Sequence, residues 1–151
     1  MTSKMEKSKL KASLAAFQQE VPVIFRETKG YGYKYADLPA ILEVINPLLK
    51  KHKLGFSQMV TSVPDTEGRL QPVLVTSIFH TESEEQVEST TVIPQGVNLK
   101  GMNDFQVLGS AITYLRRYAL SSMLGLVTDK DTDASEQQEK SGNKNIDDLE
   151  L

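Results

Sequence analysis

The chain of 151 residues contains no cysteine, which excludes disulfides, thiolate metal sites and cysteine nucleophiles and suits a reducing cytoplasmic setting. Histidine is nearly as scarce. His52 falls among lysines at an expected helix end and His80 at an expected strand end, neither with a second ligand at metal-binding spacing, so both are expected as ordinary surface residues. No apolar run approaches the roughly 20 residues of a membrane span, and the first residues, Met1 to Lys7, lack the apolar stretch of a secretion signal. A glycine-rich phosphate loop ending in Lys-Ser/Thr is also missing. Lys29-Gly-Tyr-Gly-Tyr-Lys34 has neither the spacing nor the following hydroxyl, so no ATP-driven cycle is indicated. The densest carboxylates, Asp129, Asp131 and Asp133, read as a solvated acidic run rather than a scaffolded two-metal site. With no nucleophile, general base or metal signature, the chain does not read as an enzyme, and no cofactor is called for.

A hydrophobic content of 39% and a charged content of 25% fit one ordinary globular domain with a real core. The formal charge of −3 is unevenly spread: residues 128–151 carry 8 acidic and 3 basic side chains, a balance of −5, which leaves +2 on residues 1–127. The two parts are therefore expected to behave differently. Residues 1–127 form the domain. Residues 128–151 are too polar to bury themselves and are expected as a disordered acidic tail. Ile146-Asp-Asp-Leu-Glu-Leu151 has the aliphatic-acidic pattern of a short docking peptide. The tail is expected either to compete with nucleic acid for a basic groove or to dock a partner.

Leu10, Leu14 and Phe17 recur at helical spacing among lysines and predict an amphipathic helix from Lys4 to Gln19. Asp37 is placed to cap a second helix with Pro39 in its first turn and Ile41, Leu42, Ile45, Leu48 and Leu49 as its buried stripe. Pro47 is expected to kink that helix or end its first part, and Gly55 to stop it. Lys50, Lys51 and Lys53 complement its dipole. Strands are expected over 56–63, 73–79 and 86–93, where Val, Ile, Thr and Ser gather between short polar turns that imply a meander. The fold class is therefore α+β: a small three-stranded antiparallel sheet packed against helices, with a long C-terminal helix.

That last helix holds the most informative residues, Gly109-Ser-Ala-Ile-Thr-Tyr-Leu-Arg-Arg-Tyr-Ala-Leu120. At 100° per residue Leu108, Ala111, Ile112, Leu115 and Ala119 share a packing face, while Ser110, Thr113, Arg117 and Ser121 share a polar one with Tyr114 at its edge. Arginine forks pair with phosphates and aromatic rings stack on bases, so the pattern points to DNA or RNA. Arg116 and Arg117 project at different angles, one suited to phosphate and the other to bracing the fold, with Arg117 favoured for phosphate. A second patch, Arg26, Lys29, Tyr31, Tyr33, Lys34 and Tyr35, lies in a glycine-broken segment read as a loop or extended arm that lines the same groove. The competing reading is a non-enzymatic adaptor whose basic helix binds an acidic partner protein, with DNA incidental.

Three blocks resemble the ERF family of phage single-strand annealing proteins. They are Tyr33-Lys-Tyr-Ala-Asp-Leu-Pro-Ala-Ile-Leu42 running on to Ile45-Asn-Pro-Leu-Leu-Lys-Lys-His-Lys-Leu54, then Thr76-Ser-Ile-Phe-His-Thr81, then Gly109 to Leu120 followed by Gly125-Leu126 and Asp129. Their order and separation match over roughly residues 10–133. Gly32-Tyr33-Lys34 stands where the family usually has a basic or aromatic residue before Ser-Lys, and Lys53 where it often has Gly. The resemblance implies an ATP-independent recombinase that coats single-stranded DNA and pairs complementary strands as a ring or helical homo-oligomer. It also implies a curved antiparallel sheet against a long helix, and work beside an exonuclease and a single-strand-binding protein in the bacterial host cytoplasm.

Overall fold

Ser8 starts the first helix, α1 (Lys9–Glu20), by accepting a hydrogen bond from the Lys11 amide at 3.1 Å, which satisfies one of the unpaired amides of the first turn. The computed structural model describes residues 7–24 and 36–128, so the helix is seen from its cap onward. Arg26, Lys29, Tyr31, Tyr33, Lys34 and Tyr35, together with the acidic segment from Asp129 on, lie outside the described residues. The order of elements continues with α2 (Leu38–Lys51), β1 (Leu54–Pro64), β2 (Leu70–His80), β3 (Gln86–Val92) and α3 (Asp104–Leu124). This is the expected α+β layout, with one antiparallel sheet in the order β1-β2-β3.

The start of α1 is tied to the sheet by Glu85, next to β3. Its carboxylate accepts from the Ser8 hydroxyl and from the Lys9 amide, the latter at 2.9 Å. The Ser8 hydrogen bond, followed by those of the backbone, holds the Glu85 carboxyl below its ordinary value of 4.5. A depressed carboxylate adds stability that is fully present above the unfolded value and is lost as pH falls through the folded one. Glu85→Gln is therefore expected to lower the urea midpoint at pH 7, and the gap from the parent should close as pH drops below 4.5. A gap that persists in acid would show that the contact is not carried by the ionised carboxyl.

In α2 the Asp37 side chain accepts from the Ala40 amide at 3.0 Å, and Leu38, Ile41, Ile45 and Leu49 are buried. The helix runs through Pro47 to Lys51 instead of ending there. Pro47 is exposed, and the buried stripe on the opposite side holds the helix together across the missing amide. Nor does Gly55 stop the helix. The chain turns at Lys53, whose φ of 58° is left-handed. Gly55 lies instead in β1 opposite Phe79, and a Cβ there would sit 2.5 Å from the Phe79 ring. The absence of a side chain lets that ring lie across the strand.

The register places Leu54, Phe56 and Gln58 of β1 in one row with His80, Ile78 and Thr76 of β2, on the face that the helices cover. Leu10 and Phe17 of α1, Ile41, Ile45 and Leu49 of α2, and Leu120 and Leu124 of α3 close the core over Leu54 and Ile78. Both histidines depart from the surface expectation. His80 is 5% exposed, with Nδ1 accepting from the Glu82 amide at 3.2 Å. The His52 side chain is 16% exposed, edge-on to Phe17 and 2.6 Å from Glu20. Glu20 reaches across from α1 to pair with Lys51 as well, at 2.5 Å, so the first helix closes over a corner that local sequence left open.

Candidate nucleic-acid interface

Helix α3 begins earlier than the sequence pattern suggests because Asn103 and Gln106 form a reciprocal cap. The Asn103 side chain accepts from the Gln106 amide and the Gln106 side chain accepts from the Asn103 amide, each at 2.9 Å. Its end is set by Gly125, left-handed at φ 68°, while Gln18 of α1 donates to the Leu124 carbonyl at 3.4 Å. Burial along the helix is strongly graded. Ala119, Leu120 and Leu124 are buried, whereas Leu108, expected on the packing face, is 41% exposed and Phe105 is 87% exposed. The helix packs through its last turns, and its first turns project past the core.

On the outer side of those last turns Tyr114 and Tyr118 sit one turn apart with ring centroids 5.2 Å apart and planes inclined by 33°. Both are more than half exposed, at 53% and 54%. The Arg117 guanidinium lies over both rings, 5.5 Å from the Tyr114 centroid and 5.9 Å from that of Tyr118. Cation–π contacts of this kind are worth about 0.5–1 kcal/mol at exposed sites. Their effect here is to fix a charged fork against two exposed π-faces.

Arg116 is used differently. Its Nε donates to Gln58 Oε1 at 3.4 Å, while Gln58 Nε2 donates to the Arg116 carbonyl at 3.0 Å and to Thr76 Oγ1 at 3.1 Å. These bonds clamp α3 to β1 and β2. The two adjacent arginines thus have different neighbours, and Arg117 is the one that meets the rings. Tyr118 was not among the residues singled out from sequence, although its i, i+4 spacing from Tyr114 is the signal that could have found it.

Arg117 lines two clefts. One, of about 460 Å³, is lined by Arg117, Tyr118, Ser121, Ser122 and residues 125–128; the other, of about 320 Å³, by Asp37, Leu38, Thr113, Tyr114 and Arg117. The Ser121 hydroxyl oxygen is buried and has no hydrogen-bond partner among the described residues, which leaves a polar atom in the first cleft for a ligand or water to satisfy. The segment after α3 completes that cleft. Its Val127 carbonyl accepts from the Ile24 amide at 2.9 Å and its Thr128 carbonyl from the Ala36 amide at 3.1 Å. Ile24 and Ala36, the described residues on either side of the stretch that carries Arg26, Lys29, Tyr31, Tyr33, Lys34 and Tyr35, are thereby bonded to residues that line the Arg117 cleft.

Among the described residues no group of three His, Cys, Asp or Glu side chains could hold a metal ion. No described helix is long and apolar enough to cross a membrane.

A sequence model of the ERF superfamily matches residues 10–148. The "Essential recombination function protein" of Salmonella phage P22 is 29% identical over 130 residues, which cover 85% of this chain and 61% of that protein. The chain therefore spans less than two thirds of that relative's length. No solved structure matches it.

Proposed function

The chain belongs to the ERF superfamily, and from that premise and the exposed surface of α3 we propose that it binds single-stranded DNA and pairs complementary strands, without ATP, in phage homologous recombination. The observation that carries this reading is the Tyr114–Arg117–Tyr118 cluster. Annealing needs a surface that grips phosphate and stacks on bases without reading their hydrogen-bonding edges, so that those edges can test a second strand. Two exposed rings around one guanidinium supply that combination. The tyrosines and basic residues of 26–35 are proposed to add to the same surface, because Ile24 and Ala36, on either side of them in the chain, are bonded to Val127 and Thr128 of its first cleft.

One such cluster is a weak site, and repetition along a strand multiplies its effect through effective concentration. Self-association into a ring or filament is therefore part of the reading. Exposed Phe105 and Leu70, and outer edges of β1 and β3 that no described strand covers, support it. The proposed setting is the host cytoplasm, beside an exonuclease that supplies single strands and a protein that coats them.

The direct test is annealing of two labelled complementary oligonucleotides without ATP. Acceleration over spontaneous pairing is the expected result, and its absence would remove the proposal. In equilibrium titrations single strands should bind more tightly than duplex, with affinity falling steeply in salt. Arg117→Ala is expected to reduce the slope of log affinity against log salt by about 0.7, one phosphate's worth on a single strand, and to weaken binding by roughly tenfold. Arg116→Ala should leave that slope unchanged and lower the urea midpoint instead, since its side chain faces Gln58. An incidental basic surface on a protein-binding adaptor would show no preference for single strands.

A further inference from the structure

We infer that the DNA track on α3 does not end at Arg117 but continues toward the N-terminus of the helix across Gly109, where the strand lies directly against the helix backbone. This rests on the reading of the Tyr114–Arg117–Tyr118 face as a single-strand platform. A third cleft, of about 530 Å³, is lined by Met102, Gln106, Gly109, Ser110 and Thr113. It shares Thr113 with the cleft at Asp37 and Leu38, which in turn shares Arg117 with the cleft at Ser121. Through these shared residues the three adjoin in a row along the helix. From Gln106 to Ser121 the row extends about 22 Å at the helical rise of about 1.5 Å per residue. That length accommodates up to about six nucleotides at a rise of about 3.4 Å.

Gly109 needs an explanation that the described chain does not supply. Glycine is among the poorest residues in a helix interior, and here it stands in the second turn of a well-capped one. Its φ is not positive, and a Cβ built on it meets nothing within 4 Å. Neither backbone geometry nor internal packing calls for the missing side chain. A close approach from outside does, and the cleft over Gly109 is the place where it would occur. The surrounding groups suit a sugar–phosphate chain met without charge: the Ser110 hydroxyl, the Gln106 amide, and Thr113, whose Oγ1 donates to the Gly109 carbonyl at 3.0 Å and can still accept. Among the described residues lining the three clefts Arg117 is the one cation and Asp37 the one anion. Binding at the Gly109 end is therefore nearly independent of salt.

The experiment measures binding of fluorescent oligo(dT) of increasing length to the full chain across a salt series, with thermal midpoints in parallel. Gly109→Ala is expected to raise the midpoint by roughly 2–4 °C while weakening binding about threefold. Gly109→Gln is expected to fold as well as the parent, weaken binding about tenfold with the salt slope unchanged, and shorten the occluded length. Unaltered affinity and length for Gly109→Gln, with Arg117→Ala still impaired, would overturn this inference alone. Unaltered affinity for both variants would overturn the platform reading beneath it. A Gly109→Gln variant that changes subunit assembly in sedimentation while each subunit binds DNA as before would assign the glycine to a second copy of the chain, and so would also overturn it.

Discussion

Replacing Tyr114 and Tyr118 together with alanine is expected to weaken single-strand binding by about 30- to 1000-fold and to leave the fold in place. Stacking of a base on an aromatic side chain is worth about 1–3 kcal/mol, and tenfold in affinity corresponds to about 1.4 kcal/mol. Two rings bring the loss to about 2–4 kcal/mol, less than a full sum because they lean on each other at 5.2 Å and share Arg117. Little burial is given up, since each ring is more than half exposed. The corresponding phenylalanine pair should bind like the parent, because stacking needs the ring and not the hydroxyl. An abasic strand separates stacking from charge: parent and alanine variant should bind it about equally. Unchanged binding of an ordinary strand by the alanine pair would exclude the cluster as the DNA platform.

The fold was largely legible because each element carries its own signal. Asp37 and the Ile41-Ile45-Leu49 stripe announce α2, and the Val-rich runs with short polar turns announce the meander. What local pattern could not supply was long-range cover. His52 and His80 read as surface residues until α1 packs across them, and Gly55 reads as a helix stop until Phe79, 24 residues on, claims the space above it. Leu108 has the right angular position for the core and is nevertheless half-exposed, because amphipathic phase gives the direction of a face and not how far along the helix the core extends. The difference in direction between Arg116 and Arg117 was legible as an angle. Its physical cause, Gln58 on the neighbouring strand, lies 58 residues away. The bonds of Ile24 and Ala36 to the Val127 and Thr128 carbonyls were likewise hidden, since no local rule would name those partners.

Leu120→Ala is expected to destabilise the protein by about 2–5 kcal/mol, a large part of the 5–15 kcal/mol typical of a whole domain. Leu120 is fully buried, and with Ala119 and Leu124 it forms the buried anchor of a helix whose first turns project from the core. It follows Tyr118 by two residues, so the buried anchor and the Tyr–Arg–Tyr cluster share neighbouring turns of the same helix. The truncation should therefore lower the urea midpoint sharply and remove DNA binding only to the extent that it unfolds the chain. Ligand linkage makes the distinction measurable: a strand at 100 times its dissociation constant adds about 2.7 kcal/mol to any protein that still binds it when folded. Leu120→Ala should regain that increment in full from a low starting point. The Tyr114 and Tyr118 alanine pair should start near the parent and gain little from the same strand concentration. Should Leu120→Ala instead retain its stability, the anchoring role of the last turns of α3 would fall; should it fold but gain nothing from DNA, the platform would depend on core packing beyond its position on the helix.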